Sequence, residues 1–410
     1  MADPVIRPDN GLLLFAIQTA EGSPVTLDPT LHAVGIVADS FTYGAPFGTE
    51  ASNEANGSFV ASAPMVIGQE VKIGFKMRIK GAGAGVTYTS VIKPPMHAPL
   101  AACGWRGFFQ AAIAAAALTA GTTTSGTLGT GYTGTAQLYR GMPLILSVGP
   151  GAGHIPFVTD YTVGKLATLS DLLATLTTAT LAAIPAHWTY AGTTPIDAAS
   201  RLTDHPCATI GWYEDGNFHQ WQDVRGIVDF EGKSARPGEA TFSMTGTYLG
   251  ATVATMPLNA VIASHSAPLL VQGAATPPAA IINRLRLPIS SWALRNGGNM
   301  ESVDDPNTMY GFGPGQITGR VPVFEADPLR TLVTTRDVMT EIGAASNYPI
   351  ALRAGASAGN RWGLALPLAQ PVQADPAMRG KLRSDQTKWQ ALSPGRDAQN
   401  RDSDAFLSFF

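Results

Sequence analysis

The chain has 410 residues, a formal net charge of −3, two cysteines and only 14% charged residues, against about 25% in ordinary soluble domains. That balance excludes a basic field for gripping nucleic acid, and no apolar run approaches the ~18 residues of a membrane helix, since the Ala-rich piece from Phe108 to Ala120 is short and carries Gln110. The charge deficit points either to surface that other subunits cover, because interface cores are depleted in charge, or to a Gly- and Ala-rich monomer with a neutral surface.

Residues 1–34 read as an N-terminal arm. The start, MADPVIRPDNG, lacks a basic region ahead of an apolar one, so no signal peptide is expected. Within the arm, Leu12, Leu13, Leu14 and Phe15 form an apolar run. Residues 35–106 open a first β-lobe. Its clearest strand, Glu70 to Lys80, sets Val71, Ile73, Phe75, Met77 and Ile79 on one face and Glu70, Lys72, Lys76, Arg78 and Lys80 on the other, as in a half-buried antiparallel strand. A short helix is expected near Pro99. Residues 107–190, rich in Thr, Gly and Ala, read as an inserted surface subdomain with strands at Met142 to Val148 and His154 to Tyr161; from Leu166 to Ala183 helix and strand signals compete.

The first lobe resumes over residues 191–273 and contains two consecutive hairpins between Thr209 and Gly246. The first turns at Asp215-Gly216, which suits the positive φ of a tight hairpin turn; the second turns between Gly232 and Gly238. In its return arm Ala240, Phe242 and Met244 point one way and Thr241, Ser243 and Thr245 the other. Residues 274–282 form a Pro/Ala-rich linker. Residues 283–370 read as a second β-lobe with strands in Ile282 to Leu294, Gly319 to Ala326 and Asn360 to Leu368, and a helix starting after Asp327-Pro328 and ending before Asn347. Residues 371–410 read as a C-terminal arm whose apolar end, with Phe406, Phe409 and Phe410, needs a sheet edge or a neighbour. The fold class expected is mainly β with short helices: β-sandwich or barrel-like lobes, two per chain if each lobe is one unit, plus the inserted β-rich subdomain.

Signals of catalysis are poor. Lys80 to Gly85 (KGAGAG) and Gly149 to Gly153 (GPGAG) resemble phosphate loops in composition, but neither opens a helix. Asp204-His205 near Cys207 offers the residue types of a nucleophilic site, with a loop capping the next strand as the plainer account. The seven histidines are scattered without metal-ligand spacing, and Glu301, Asp304 and Asp305 lack the spacing of a calcium loop. No catalytic residue, cofactor or metal is expected, and the cysteines, which form no CxxC, suit a reducing cytoplasm.

Taken together, Trp212-Tyr213, Asp215-Gly216, Arg225-Gly226 and Thr245-Gly246 resemble the aromatic strand, turn, Arg-Gly pair and closing strand of tail tube (major tail) proteins of long-tailed, non-contractile bacteriophages. Further blocks are similar in the same order: Leu12 to Pro24 followed by Ala33-Val34, Pro99 to Gly104, then Ile317 to Arg320 before Pro322 and Gly359-Asn360 before Pro367. Residues 107–190 depart from the pattern as an insertion. The resemblance implies a non-enzymatic virion protein, assembled in the host bacterial cytoplasm, whose rings stack into a conduit for genome delivery. Its partners would be itself, other tail proteins and transiently passing DNA, with no stable membrane insertion. Two tube lobes per chain imply trimeric rings, single-lobe subunits hexameric ones. Leu12, Leu13, Leu14, Phe15, Phe406, Phe409 and Phe410 are then candidate inter-subunit contacts. Asp229 and Glu231, opposite the core-facing Val228 and Phe230, are candidate lumen-facing residues. The cationic face of Lys72, Lys76, Arg78 and Lys80 is expected to point away from the channel or to be neutralised by a neighbour's acids, because cationic walls retain phosphate. Alternatives are another β-rich virion part, such as a decoration or baseplate protein, and a carbohydrate- or surface-binding β-module.

Overall fold

The computed structural model describes residues 11–52, 54–55, 57–60, 62–262, 266–273 and 276–410; residues 1–10 of the N-terminal arm, His265 and Ala274-Ala275 of the linker lie outside the described residues. The chain is mainly β, and its helices among the described residues are one or two turns long: Pro29–His32, His97–Ala102, Arg201–Asp204 and Val338–Gly343. None is long and apolar enough to cross a membrane.

One antiparallel sheet organises the molecule. Its strands Val71–Arg78, Glu239–Val253, Asn217–Lys233, Ser291–Arg295, Val323–Ala326, Leu382–Ala391 and Trp362–Arg379 are hydrogen-bonded in that order. The sheet continues through Phe406–Phe409 and His187–Gly192 to Trp105–Gln110, and on another branch through Ala208–Glu214 to Gly11–Ile17; it does not close on itself. The expected alternation holds in Val71–Arg78, where Val71, Ile73, Phe75 and Met77 are buried and the residues between them are not. Asp215 and Gly216 both adopt positive φ, 42° and 104°, the twist that a two-residue hairpin turn needs. A bulge between Gln222 and Arg225, with Asp223 at φ 55°, bends the long strand. Its first half thereby pairs with Ala208–Glu214 and its end with Ser291–Arg295.

A single buried cluster spans residues of both expected lobes, from Phe75, Phe230 and Phe242 to Leu294, Phe324, Trp362 and Trp389. Phe75 stacks on Phe242 at 4.9 Å, and Trp105 meets Phe230 edge-on at 5.1 Å. Residues between Ile113 and Ile184 form two small sheets around a second cluster that includes Tyr132, Tyr139 and Tyr161. Residues 107–110 and 187–190, expected in the insertion, belong to the main sheet. Between Leu166 and Ala183 the structure contains strands Leu166–Leu169 and Leu181–Ile184.

Three expectations are corrected. The helix of the second lobe begins at Val338, capped by Asp337, whose carboxylate accepts from Met339 N and Thr340 N. Asp327 cannot cap it, because its carboxylate is taken by the amides of Ser290 and Ser291 at 2.7 and 2.9 Å. Residues 371–391 are strand rather than free arm, paired across Trp362–Arg379 and Leu382–Ala391. The apolar termini are covered by their own chain. Leu13, Leu14 and Phe15 are buried and Leu12 half-buried in Gly11–Ile17, which pairs with Ala208–Glu214. Phe406, Phe409 and Phe410 are buried, with Phe406–Phe409 held between His187–Gly192 and the start of Trp362–Arg379. An edge of the same molecule is always at hand, so these ends satisfy themselves before any neighbour arrives.

Phe409 is fully buried, so Phe409→Ala is expected to cost about 3–5 kcal/mol, read by urea denaturation; deleting residues 401–410 is expected to prevent folding rather than yield a folded, assembly-incompetent subunit. A second expectation concerns pH. Burial pushes the imidazole of His187 down to about 4, with its Nδ1 at 2.7 Å from the Pro185 carbonyl. The unfolded chain binds that proton near pH 6.5, so stability is complete above about 6.5 and falls as pH drops toward 4. The loss from His187 should be on the order of 3 kcal/mol, and His187→Gln should flatten the pH dependence of the urea midpoint.

Candidate functional site

The constellations with catalytic residue types are spent on structure. Asp204 pairs with Arg106 at 2.9 Å, and His205 Nε2 lies 2.6 Å from the Thr193 carbonyl oxygen, to which it donates. Burial pushes the Cys207 thiol up to about 11, the reverse of what an attacking thiolate needs. The glycine loop at Lys80–Gly85 turns its amides inward: Gly83 N donates to Gly359 O and Gly85 N to Ala358 O. Among the described residues no group of His, Cys, Asp and Glu has the arrangement of a metal site.

The distinctive surface is the outer face of the main sheet. Register builds it in rows. Arg78 lies beside Glu239, Glu239 beside Glu231, Glu231 beside Ala293, Ala293 beside Glu325 and Glu325 beside Lys388. In the next row Lys76 lies beside Thr241 and Thr241 beside Asp229. Glu231 directly opposite Glu239 is an unfavourable like-charge pair. Lys76 relieves it, with its Nζ 3.7 Å from Glu231 and 3.9 Å from Glu239. Arg78 bonds Glu239, and Arg295 reaches Glu231 at 3.0 Å and Asp229 at 3.8 Å. Lys388 and Glu325 close the row at 3.1 Å. A groove of about 920 Å³ runs along these charges, and a second of about 590 Å³ lies by Tyr43, Lys72 and Met300.

Asp229 and Glu231 thus share a face with Lys72, Lys76 and Arg78, and the expected separation of acids from bases is corrected. The reason is register: every second residue of each antiparallel neighbour lands on the same side. The acids that neutralise Lys76 and Arg78 come from the same chain. Lys80 leaves the strand, which ends at Arg78, and its buried Nζ donates to Ser266 O at 3.1 Å. Arg295, Glu325, Lys388 and Glu239 were missed in the sequence; the period-two placement of Glu325 and Lys388 between the buried Phe324, Ala326, Thr387 and Trp389 was their only local signal.

No protein-family model matches this chain, and no curated protein matches it.

Lys76→Ala would leave Glu231 facing Glu239. Because all three groups are partly solvated, with Lys76 42% exposed, the expected cost is below about 1 kcal/mol at low salt and should vanish at high salt, as measured by urea denaturation at the two ionic strengths.

Proposed function

We propose that the chain is a structural virion protein, the subunit of a bacteriophage tail tube, whose rings stack into a conduit for genome delivery. The observation that carries this reading is the self-neutralised outer face of the main sheet. A wall facing passing DNA must present neither a cationic track, which holds phosphate through counterion release, nor an apolar patch that other chains would cover. Interleaved Lys76, Arg78, Arg295 and Lys388 with Asp229, Glu231, Glu239 and Glu325 satisfies both conditions.

Edges support the same reading. Thr247–Val253 has a strand partner only in Asn217–Lys233, and residues 371–379 have one only in Leu382–Ala391, among the described residues. Unpaired edges invite pairing with another chain, and joining them edge to edge closes a ring and leaves no edge. Because one sheet draws strands from both expected lobes, three chains supply the wall that compact single-lobe subunits would build from six. Other tail proteins would cap the tube, and assembly would take place in the host cytoplasm.

Negative-stain microscopy of the purified protein tests this. Rings or tubes with a central channel, and a mass of three chains per ring, are expected. A monomer at all concentrations overturns the proposal and favours a surface-binding β-module; closed particles without a channel favour a decoration or baseplate part.

A further inference from the structure

The two ends of the main sheet carry opposite charge. Strand direction defines them. At one end lie the turn after Asn217–Lys233, the loop before Ser291–Arg295 and the hairpin between Trp362–Arg379 and Leu382–Ala391. Thr387 is level with Ala326, and Ala326 with Trp292, so the hairpin tip at Gly380 stands several residues, roughly 16–20 Å at ~3.3 Å per residue, beyond the neighbouring strands. This end presents Lys233, Arg236, Arg286, Lys381 and Arg383, all exposed and none in an ion pair among the described residues; its acids Asp327 and Asp385 are already paired with Arg379 and Arg330, which leaves Asp375 as the odd charge.

The opposite end is built from the hairpins Phe47–Glu50/Met65–Gly68 and Asn299–Asp304/Phe312–Gly319. They meet where Phe47 packs edge-on against Tyr310 at 5.2 Å and where Ser302 bonds Glu70. This end presents Glu50, Glu70, Glu301, Asp304 and Asp305, again without an ion pair among the described residues, with Lys72 as the odd cation. Exposed apolar side chains accompany the charges at both ends: Met378 and Leu382 at the basic one, Val303 and Met309 at the acidic one.

We propose that these ends are a head-to-tail interface between copies of this chain, in which the basic hairpin tip of one copy docks on the acidic hairpins of the next. Opposite charge on opposite ends of one molecule is what a heterologous contact requires, and such a contact repeats into an open filament. Charge sets polarity and register, and like ends repel; the apolar side chains supply area. The proposal rests on the tube reading only in identifying the filament axis with the stacking of rings.

The test uses the full chain with surface substitutions that leave the core untouched: Lys381→Glu with Arg383→Glu, and separately Glu301→Lys with Asp304→Lys. Tube length and the ratio of tubes to single rings are read by negative stain, and self-association by sedimentation at low and high salt. Each reversal alone should weaken end-to-end association by about ten-fold or more while rings persist, as should 1 M salt, where the screening length is roughly 3 Å. Combining both reversals in one chain, or mixing the two variants, should restore it. Carbodiimide should join Lys381 to Glu301 or Asp304 across copies. Full-length tubes from both single reversals would overturn this inference and leave the tube reading standing. Wild-type filaments without a channel would overturn the tube reading and leave this inference standing. Wild-type chains that do not associate at low salt would overturn the inference.

Discussion

The register of the bent strand Asn217–Lys233 against its neighbours is the constraint on which the rest of the molecule depends. That strand pairs with Glu239–Val253 along almost its full length, with Ala208–Glu214 before the bulge and with Ser291–Arg295 after it. A slip of one residue would bring Asp229 and Glu231 into the core and expel Val228 and Phe230. The same slip would dismantle the charge rows, because Glu239, Lys76 and Arg295 meet their partners only in this register. The aromatic contacts Phe75–Phe242 and Trp105–Phe230 hold it from the buried side.

Two kinds of ion pair serve two ends. Those on the outer face are partly solvated, add little to stability, and set the character of a surface. Buried ones tie appended segments to the sheet. Arg353 bonds Asp171 and the Pro278 carbonyl, which joins the small-sheet region to the main one. Arg401 holds Asp397 at 2.7 Å and the Thr189 carbonyl at 2.7 Å, and lies over the Phe406 ring. Removing one partner of such a pair strands a charge in low dielectric, so these segments are locked rather than loosely attached. Unpaired charges of opposite sign stand at the two ends of the sheet, where water or another copy can satisfy them.

Local patterns made much of this legible. The alternation in Val71–Arg78 and Ala240–Thr245, the turn at Asp215-Gly216 and the helix by Pro99 follow from side-chain period and turn chemistry within a few residues. Val228 and Phe230 as core, with Asp229 and Glu231 opposite, follow from the same period. Where a residue's role depends on a partner far away in the chain, local pattern fails. Asp327 reads as a helix cap until Ser290 and Ser291 take its carboxylate. The apolar termini read as sticky arms until Ala208–Glu214 and His187–Gly192 cover them. Which charges share a face was likewise beyond the sequence. Period two says that Lys76 and Asp229 each point away from a core; only the pairing of Val71–Arg78, Glu239–Val253 and Asn217–Lys233 says that they point the same way. The sequence by itself determined the β class, the tight turn at Asp215-Gly216 and the in-or-out sense of its clearly alternating strands, because those are set by neighbours along the chain. The tertiary structure decided strand order, the neutralised face and its charged ends, because those are set by which strands hydrogen-bond to which.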